Sequence, residues 1–251
     1  MATQNILATD EINTSEKPCA VILAGGLGTR LRSAVPDLPK CMAPVAGKPF
    51  LHYVIEYLQQ QGVEQFIFSL GYMYEIICQW LSKNYPALKY RLSIEDEPLG
   101  TGGAIRLALQ KATTHQAIVL NGDTLFTVNI KKLLQFHLQN DAICTLALKP
   151  MKNVNRYGVV EISGQGKILS FKEKRFYEEG LINGGVYVLE VNKFLQMGLP
   201  VKCSFEKDFL EKFYRTENMM AMEQDEYFID IGIPEDLEKA GKEFGDGSIW
   251  R

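Results

Sequence analysis

The sequence predicts an α/β fold, a mixed but mainly parallel sheet flanked by helices, and three features carry that prediction. Short β-rich runs alternate with helical patterns over the first 150 residues, which is the signature of strands joined by crossover helices. From there to about Phe205 strand-like runs follow one another with only turn residues between them, and the chain then returns to a strand and a helix. At 251 residues and 46% hydrophobic, the chain can bury a sizeable core as one domain.

In chain order, residues 1–17 are polar and contain no apolar run, so they predict a frayed lead-in to a single domain over 18–251. "CAVILA" (19–24), "FIFSLG" (66–71), "RLSIED" (91–96), "AIVLNGD" (117–123) and "ICTLALKP" (143–150) are the first strands. Between them "YVIEYLQQQG", "YEIICQWLSKN", "GGAIRLALQKA" and "IKKLLQFHLQN" space apolar residues three and four apart, as helices do. "RYGVVEIS", "GKILSFKEK" and "INGGVYVLE" predict hairpins laid over the sheet, forming a lid or substrate-facing half of the same domain. "YFIDIG" closes as a strand, and "PEDLEKAGKEF" as a helix with Pro234 in its first turn and acidic residues after it.

Several function classes drop out at this point. No apolar run approaches the roughly 18 residues that would span a bilayer, and a net charge of −3 with dispersed basic residues lacks the footprint of a nucleic-acid binder. The five cysteines form no C-x-x-C pair, which argues against a disulfide framework and a zinc site and for a reducing, cytoplasmic setting. His52, His115 and His137 match no metal-ligand spacing, and His137, within "LLQFHLQ", reads as a helix-surface or core residue. A homo-oligomer is compatible with all of this.

The chemistry concentrates in "LAGGLGTRL". Gly25, Gly26 and Gly28 follow directly on an apolar strand, where glycines let backbone amides approach an anionic ligand; a tight strand-to-helix turn is the alternative. The dinucleotide fingerprint fails because Leu31 stands where its third glycine belongs. The phosphate loop G-x-x-x-x-G-K-[ST] fails as well, since Gly47 and Lys48 are followed by Pro49. What remains is G-G-x-G-T-R-L followed by Pro39 and Lys40. With "EPLGTGGAI" (97–105), "LNGD" (120–123), "YGVVE" (157–161), "FKEK" (171–174), "INGGVYVL" (182–189) and "FIDIGIPEDL" (228–237), the chain resembles the sugar-nucleotidyltransferase, or NDP-sugar pyrophosphorylase, family over nearly all of residues 18–240.

The resemblance implies a Rossmann-like nucleotide-diphospho-sugar transferase fold with a β-hairpin sugar-binding region, and an enzyme that joins a nucleoside triphosphate to a sugar 1-phosphate and releases pyrophosphate. Such a transfer pushes a phosphate oxygen onto an α-phosphorus already surrounded by negative oxygens, so positioning and charge neutralisation dominate. Arg30 is implied to grip the triphosphate, Lys40 the α-phosphate and Lys174 the phosphate of the sugar, with Lys172 as a stand-in on the same face of its strand. Asp123 and Asp230, each at the end of an apolar run, are the implied Mg²⁺ ligands, since that ion takes one or two carboxylates plus substrate phosphates; an N-cap or turn aspartate is the alternative for each. Leu23, Gly25, Gly26, Gly28, Thr29, Glu95, Gly100, Thr101 and Gly122 are the implied nucleotide contacts, and Gly158, Glu173 and Asn183 the sugar contacts, although Asn183 could equally be a turn residue.

Glu95 occupies a place that carries Gln in many uridylyl- and thymidylyltransferases. A carboxylate can accept from the N1–H and N2–H₂ edge of guanine, so Glu95, with Glu97 as a second candidate, points to GTP. Within the family the opening blocks and "EPLGTGGAI" are most similar to bacterial guanylyltransferases acting on D-glycero-α-D-manno-heptose 1-phosphate. Mannose 1-phosphate guanylyltransferases and amino-sugar 1-phosphate uridylyltransferases are the alternatives. The chain stops soon after "PEDLEKAGKEF", so no C-terminal β-helix is expected. A non-catalytic nucleotide-sugar-sensing subunit is the competing reading from another class, disfavoured by intact Arg30, Lys40 and aspartates. A glycosyltransferase using a finished nucleotide sugar is disfavoured because no Asp-x-Asp occurs. Cys41, beside Lys40 where a proline is usual, predicts a thiol acidified by the neighbouring cation and an oxidation-sensitive activity.

Overall fold

The computed structural model describes residues 17–26, 28, 31, 35–172 and 175–245. Through the first half, strand and helix alternate as the apolar periodicity predicts: β1 (Cys19–Leu23), β2 (Pro44–Val45), β3 (Lys48–Pro49), α1 (Phe50–Gln60), β4 (Gln65–Leu70), α2 (Tyr74–Asn84), β5 (Lys89–Ile94), α3 (Gly100–Leu109), β6 (Gln116–Asn121), β7 (Thr124–Phe126) and α4 (Ile130–Gln139). The second half contains β8 (Cys144–Val154), β9 (Val159–Ile162), β10 (Ile168–Lys172), β11 (Tyr177–Glu190), α5 (Val191–Gln196), a π-helical segment (Phe205–Leu210), α6 (Glu211–Phe213), β12 (Met219–Glu223), β13 (Phe228–Asp230) and α7 (Pro234–Gly245).

Local chemistry sets the boundaries. α1 stops at Gly62, whose φ of 83° only glycine adopts cheaply. α4 starts at Asn129, whose side chain accepts from the Lys132 amide at 2.9 Å. α7 starts at Pro234 with Glu235 and Asp236 in its first turn.

β1 pairs in parallel with β4 on one side and β6 on the other, and β5 adds in parallel to β4. The chain thus lays β4 and β5 outward from β1, then returns to β1's other side with β6. The carboxyl ends of β1 and β6 flank that reversal, the place where open α/β sheets hold their ligands. Alternation along β1 sends Ala20 and Ile22 to one core with α1, and Cys19 and Val21 to a second core with α3 and the π-helical segment.

The hairpins do not lie over the sheet as expected; they extend it. β11 pairs antiparallel with β6 through residues 186–190, with β8 along most of its length, and with β9, while β12 runs parallel to β8. Val186, Val188 and Leu189 are buried, so the second half of β11 needs cover on both faces and takes a central place that a peripheral hairpin could not provide. A register shift between Asn183 and Tyr187 lets the strand leave one set of partners for the next. Among the described residues no helix is long and apolar enough to cross a membrane.

Candidate active site

A cleft of about 870 Å³ opens beyond the carboxyl ends of β1, β4, β5 and β6. Leu23, Gly25, Gly26 and Gly28 line it, with Lys40, Glu95, Gly100, Thr101 and Asp123. Sequence reasoning anticipated all of these. Thr29, Arg30, Glu173 and Lys174 lie outside the described residues.

Close approach explains several of the glycines. A Cβ on Gly25 would lie 2.9 Å from Glu95 Oε1 and 2.9 Å from the Gly71 nitrogen, and one on Gly28, at φ +57°, 3.1 Å from the Lys40 Cβ. The glycine turn is therefore seated directly against Glu95 on one side and Lys40 on the other. Glu95 is held in turn by the Leu99 amide, which donates to Oε2 at 2.8 Å. That leaves Oε1 at the glycine turn as the carboxyl's other acceptor. Burial raises the Glu95 pKa above the usual carboxylate range, opposed by the Leu99 hydrogen bond.

The "GTGG" glycines serve packing as well. The chain from Leu199 to Phe205 is strapped across the start of α3: Cys203 O accepts from Gly102 N at 2.9 Å, and Cys203 N donates to Leu99 O at 2.9 Å. The Phe205 amide donates to Thr101 Oγ1, also at 2.9 Å. Thr101, expected as a nucleotide contact, accepts this bond from the strap and also borders the cleft. Gly122, also expected to touch nucleotide, is buried with its N–H committed to Leu23 O at 2.8 Å. A side chain there would meet Leu23 O at 3.0 Å, so this glycine lets β6 close on β1.

Lys40, Asp123 and Asp230 converge. Lys40 begins a 3₁₀ turn, Lys40–Met42, anchored by buried Cys41 and Met42. Asp123 follows β6 and immediately precedes β7, and β7 pairs antiparallel with β13 so that Asp230 stands opposite Thr124. Ile231 N donates to Asp123 O at 3.1 Å, closing the ribbon. The Lys40 ammonium forms an ion pair with Asp123 Oδ2 and lies 3.4 Å from Asp230 Oδ1. The Gly232 amide donates to Asp230 Oδ1 at 2.8 Å, and a Cβ on Gly232 would stand 3.1 Å from Lys40 Nζ. Two carboxylates that reach one ammonium can also reach one hard divalent cation.

Cys41 overturns its expectation. It is 3% exposed, and burial, reinforced by the Asp123 charge, pushes its thiol up to about 12 against the smaller opposing effect of Lys40. A buried, protonated thiol is inert. Lys172, the expected stand-in for Lys174, is paired with Glu161 at 2.5 Å. Asn183 donates to Tyr187 Oη at 2.9 Å and accepts from Gly185 N at 3.1 Å, so its side chain fastens the irregularity in β11. Gly158 leads into β9, next to the Lys172 carbonyl. His137 is a core residue, bonded through Nδ1 to Thr145 Oγ1 at 2.9 Å.

Sequence reasoning missed Ser69, Tyr72, Tyr74, Asn121 and Gly232 in the cleft wall. Asn121 and Gly232 sit inside quoted motifs, and their position beside the aspartates was the available signal. The tyrosines follow the strand end at Leu70, where ligand-facing loops belong, but nothing in their spacing marks them.

Known proteins resemble this chain over most of its length. The family model described as "Nucleotidyl transferase" matches residues 19–246. A D-glycero-alpha-D-manno-heptose 1-phosphate guanylyltransferase of Aneurinibacillus thermoaerophilus is 50% identical over 224 residues, covering 89% of this chain and 97% of that enzyme. The enzyme of the same name from Campylobacter jejuni is 47% identical, covering 86% of this chain and 96% of its own length. Among solved structures, HddC from Yersinia pseudotuberculosis superposes with a TM-score of 0.83 at 42% identity, covering 90% of this chain and 99% of that one. Its complex with GMP-PN gives a TM-score of 0.82.

Proposed function

Because the chain belongs to the nucleotidyl transferase family, we propose that it joins GTP to D-glycero-α-D-manno-heptose 1-phosphate, giving the GDP-heptose and pyrophosphate, with Mg²⁺ as cofactor. The observation that carries this reading is the convergence of Asp123 and Asp230 on the Lys40 ammonium beside a glycine-lined cleft. The guanylyltransferase names of the 50% and 47% identical relatives supply the base and the sugar.

A phosphate oxygen of the sugar 1-phosphate attacks the α-phosphorus of GTP, the bond from that phosphorus to the oxygen bridging the β-phosphate breaks, and pyrophosphate leaves. Asp123 and Asp230 would hold Mg²⁺, whose charge offsets that of the crowded phosphates. Lys40, on its anchored turn, lends an ammonium to the α-phosphate as negative charge builds there. Arg30 holds the triphosphate and Lys174 the sugar phosphate, as their motifs imply. Glu95 accepts from the N1–H and N2–H₂ edge of guanine through the oxygen that Leu99 leaves open, and Gly158, Glu173 and Asn183 border the sugar.

Four nucleoside triphosphates set against heptose, mannose, glucose and N-acetylglucosamine 1-phosphates, scored by pyrophosphate release, test the proposal. GTP with the heptose phosphate is expected to give the highest kcat/KM. A preference for UTP overturns the base assignment, a preference for mannose 1-phosphate the sugar, and no pyrophosphate with any pair the enzymatic reading itself.

A further inference from the structure

Lys40 occupies, in the free protein, the place between the two carboxylates that the reaction gives to a divalent ion. Its ammonium touches Asp123 and lies 3.4 Å from Asp230 Oδ1, and its side chain is only 13% exposed. The fit is built: Gly232 has no side chain to intrude, and its amide fixes the Asp230 oxygen that faces Nζ. An ammonium and a divalent cation cannot share this space, because like charges at contact distance in a partly buried site repel strongly. The backbone of Lys40 is anchored by the buried Cys41 and Met42 that follow it in the same turn. The side chain can swing, and Lys40 also lines the nucleotide cleft.

We propose that Lys40 serves as a resident counter-ion that keeps the divalent site closed until a nucleotide phosphate draws the ammonium away, so that metal and nucleotide bind as a coupled pair. This rests on the reading of Asp123 and Asp230 as the metal pair. The coupling is reciprocal: whatever the nucleotide does for metal affinity, the metal does for nucleotide affinity. Lys40 therefore has two successive partners, carboxylates first and phosphate afterwards, and the carboxylates are never left facing each other without a cation between them.

The test measures Mn²⁺ binding to nucleotide-free protein by the loss of the free-ion paramagnetic resonance signal, in wild type, Lys40→Met, Lys40→Gln, and Lys40→Met combined with Asp123→Asn. Melting curves confirm that each variant is folded, and the glutamine variant keeps a polar head should methionine disturb packing. The expected result is one Mn²⁺ site at least about tenfold tighter in both single variants than in wild type, the scale of a typical coupling, and lost again with Asp123→Asn. Equal affinities in wild type and the Lys40 variants overturn the proposal, as does a tightened site that survives Asp123→Asn. Catalysis is not read in this assay. A gain of Mn²⁺ binding in the Lys40 variants, with a wild type that releases no pyrophosphate, would count against the function alone, and unchanged binding beside an active wild type against the counter-ion alone.

Discussion

Replacing Gly103 by alanine adds one methyl group to α3, and its carbon would lie 2.3 Å from the carbonyl oxygen of Val201 and 2.8 Å from the Leu99 Cβ. In a free helix the change would stabilise by about 1 kcal/mol. Here a backbone carbonyl stands in the way, and restoring ordinary contact means that the strap and the helix separate by roughly 1 Å. Overpacking of this kind costs about 1–3 kcal/mol. The separation also loosens the hydrogen bonds from Gly102 N to Cys203 O and from Cys203 N to Leu99 O, each contributing about 1 kcal/mol. The net expectation is a loss of about 2 kcal/mol, which lowers the urea midpoint by roughly 1 M for a slope of about 2 kcal/mol per M. Gly241→Ala is the matched control, since Gly241 lies within α7 with nothing within 4 Å of its added carbon; it should gain up to about 1 kcal/mol. Equilibrium urea unfolding of the two variants measures both. A Gly103→Ala protein as stable as the parent would refute the reasoning that the strap, rather than helix propensity, selects glycine.

Asp230→Asn should keep the fold and lower kcat for pyrophosphate release by about 10²-fold or more, the scale of losing one charge-stabilising group at a reaction centre; an unchanged kcat removes Asp230 from the machinery. Glu95→Gln keeps an oxygen for the Leu99 amide but loses the carboxylate, so kcat/KM for GTP should fall about 10- to 100-fold relative to UTP, read from competing nucleotides. His137, whose pKa burial lowers to about 4, stays neutral in the folded state, while the unfolded chain takes up a proton near 6.5. Its contribution is therefore intact above pH 6.5 and is lost as pH falls from 6.5 towards 4, reaching roughly 3 kcal/mol; unfolding free energies of wild type and His137→Gln across that window should diverge accordingly. Cys41→Ser and the parent should lose activity to peroxide at the same rate, because the Cys41 thiol is buried and protonated; protection by the serine would contradict that placement.

The parallel half of the fold was legible because its signals are local. Apolar runs bounded by turn residues located β1, β4, β5 and β6, and three- and four-residue spacing located the helices between them. The placement of β11 was not legible, since a strand's periodicity reveals its faces but not its neighbours. The cleft was largely readable for the same reason that its residues cluster: Leu23 ends β1, and Gly25, Gly28, Glu95 and Asp123 stand in the turns that follow strand ends. Gly122 and Thr101, which their motifs assign to the nucleotide, also hold the site together by packing, a second role that a motif does not separate from the first. Cys41 was misjudged because sequence shows the neighbouring charge of Lys40 and hides the burial that outweighs it. The pairing of Lys40 with both aspartates depends on the β7–β13 ribbon, a contact between distant segments that no local pattern encodes.

That ribbon also orders events during synthesis. Lys40 and Asp123 emerge early, together with the glycine turn and the first four parallel strands, yet the second carboxylate arrives only when β13 reaches β7. A nascent chain could fold its nucleotide cleft on the ribosome and still be unable to complete the acidic pair. On the proposed reading, chemistry waits until nearly the whole polypeptide has been made, and a chain cut just before Asp230 would carry the glycine turn, Lys40 and Asp123 without the second carboxylate.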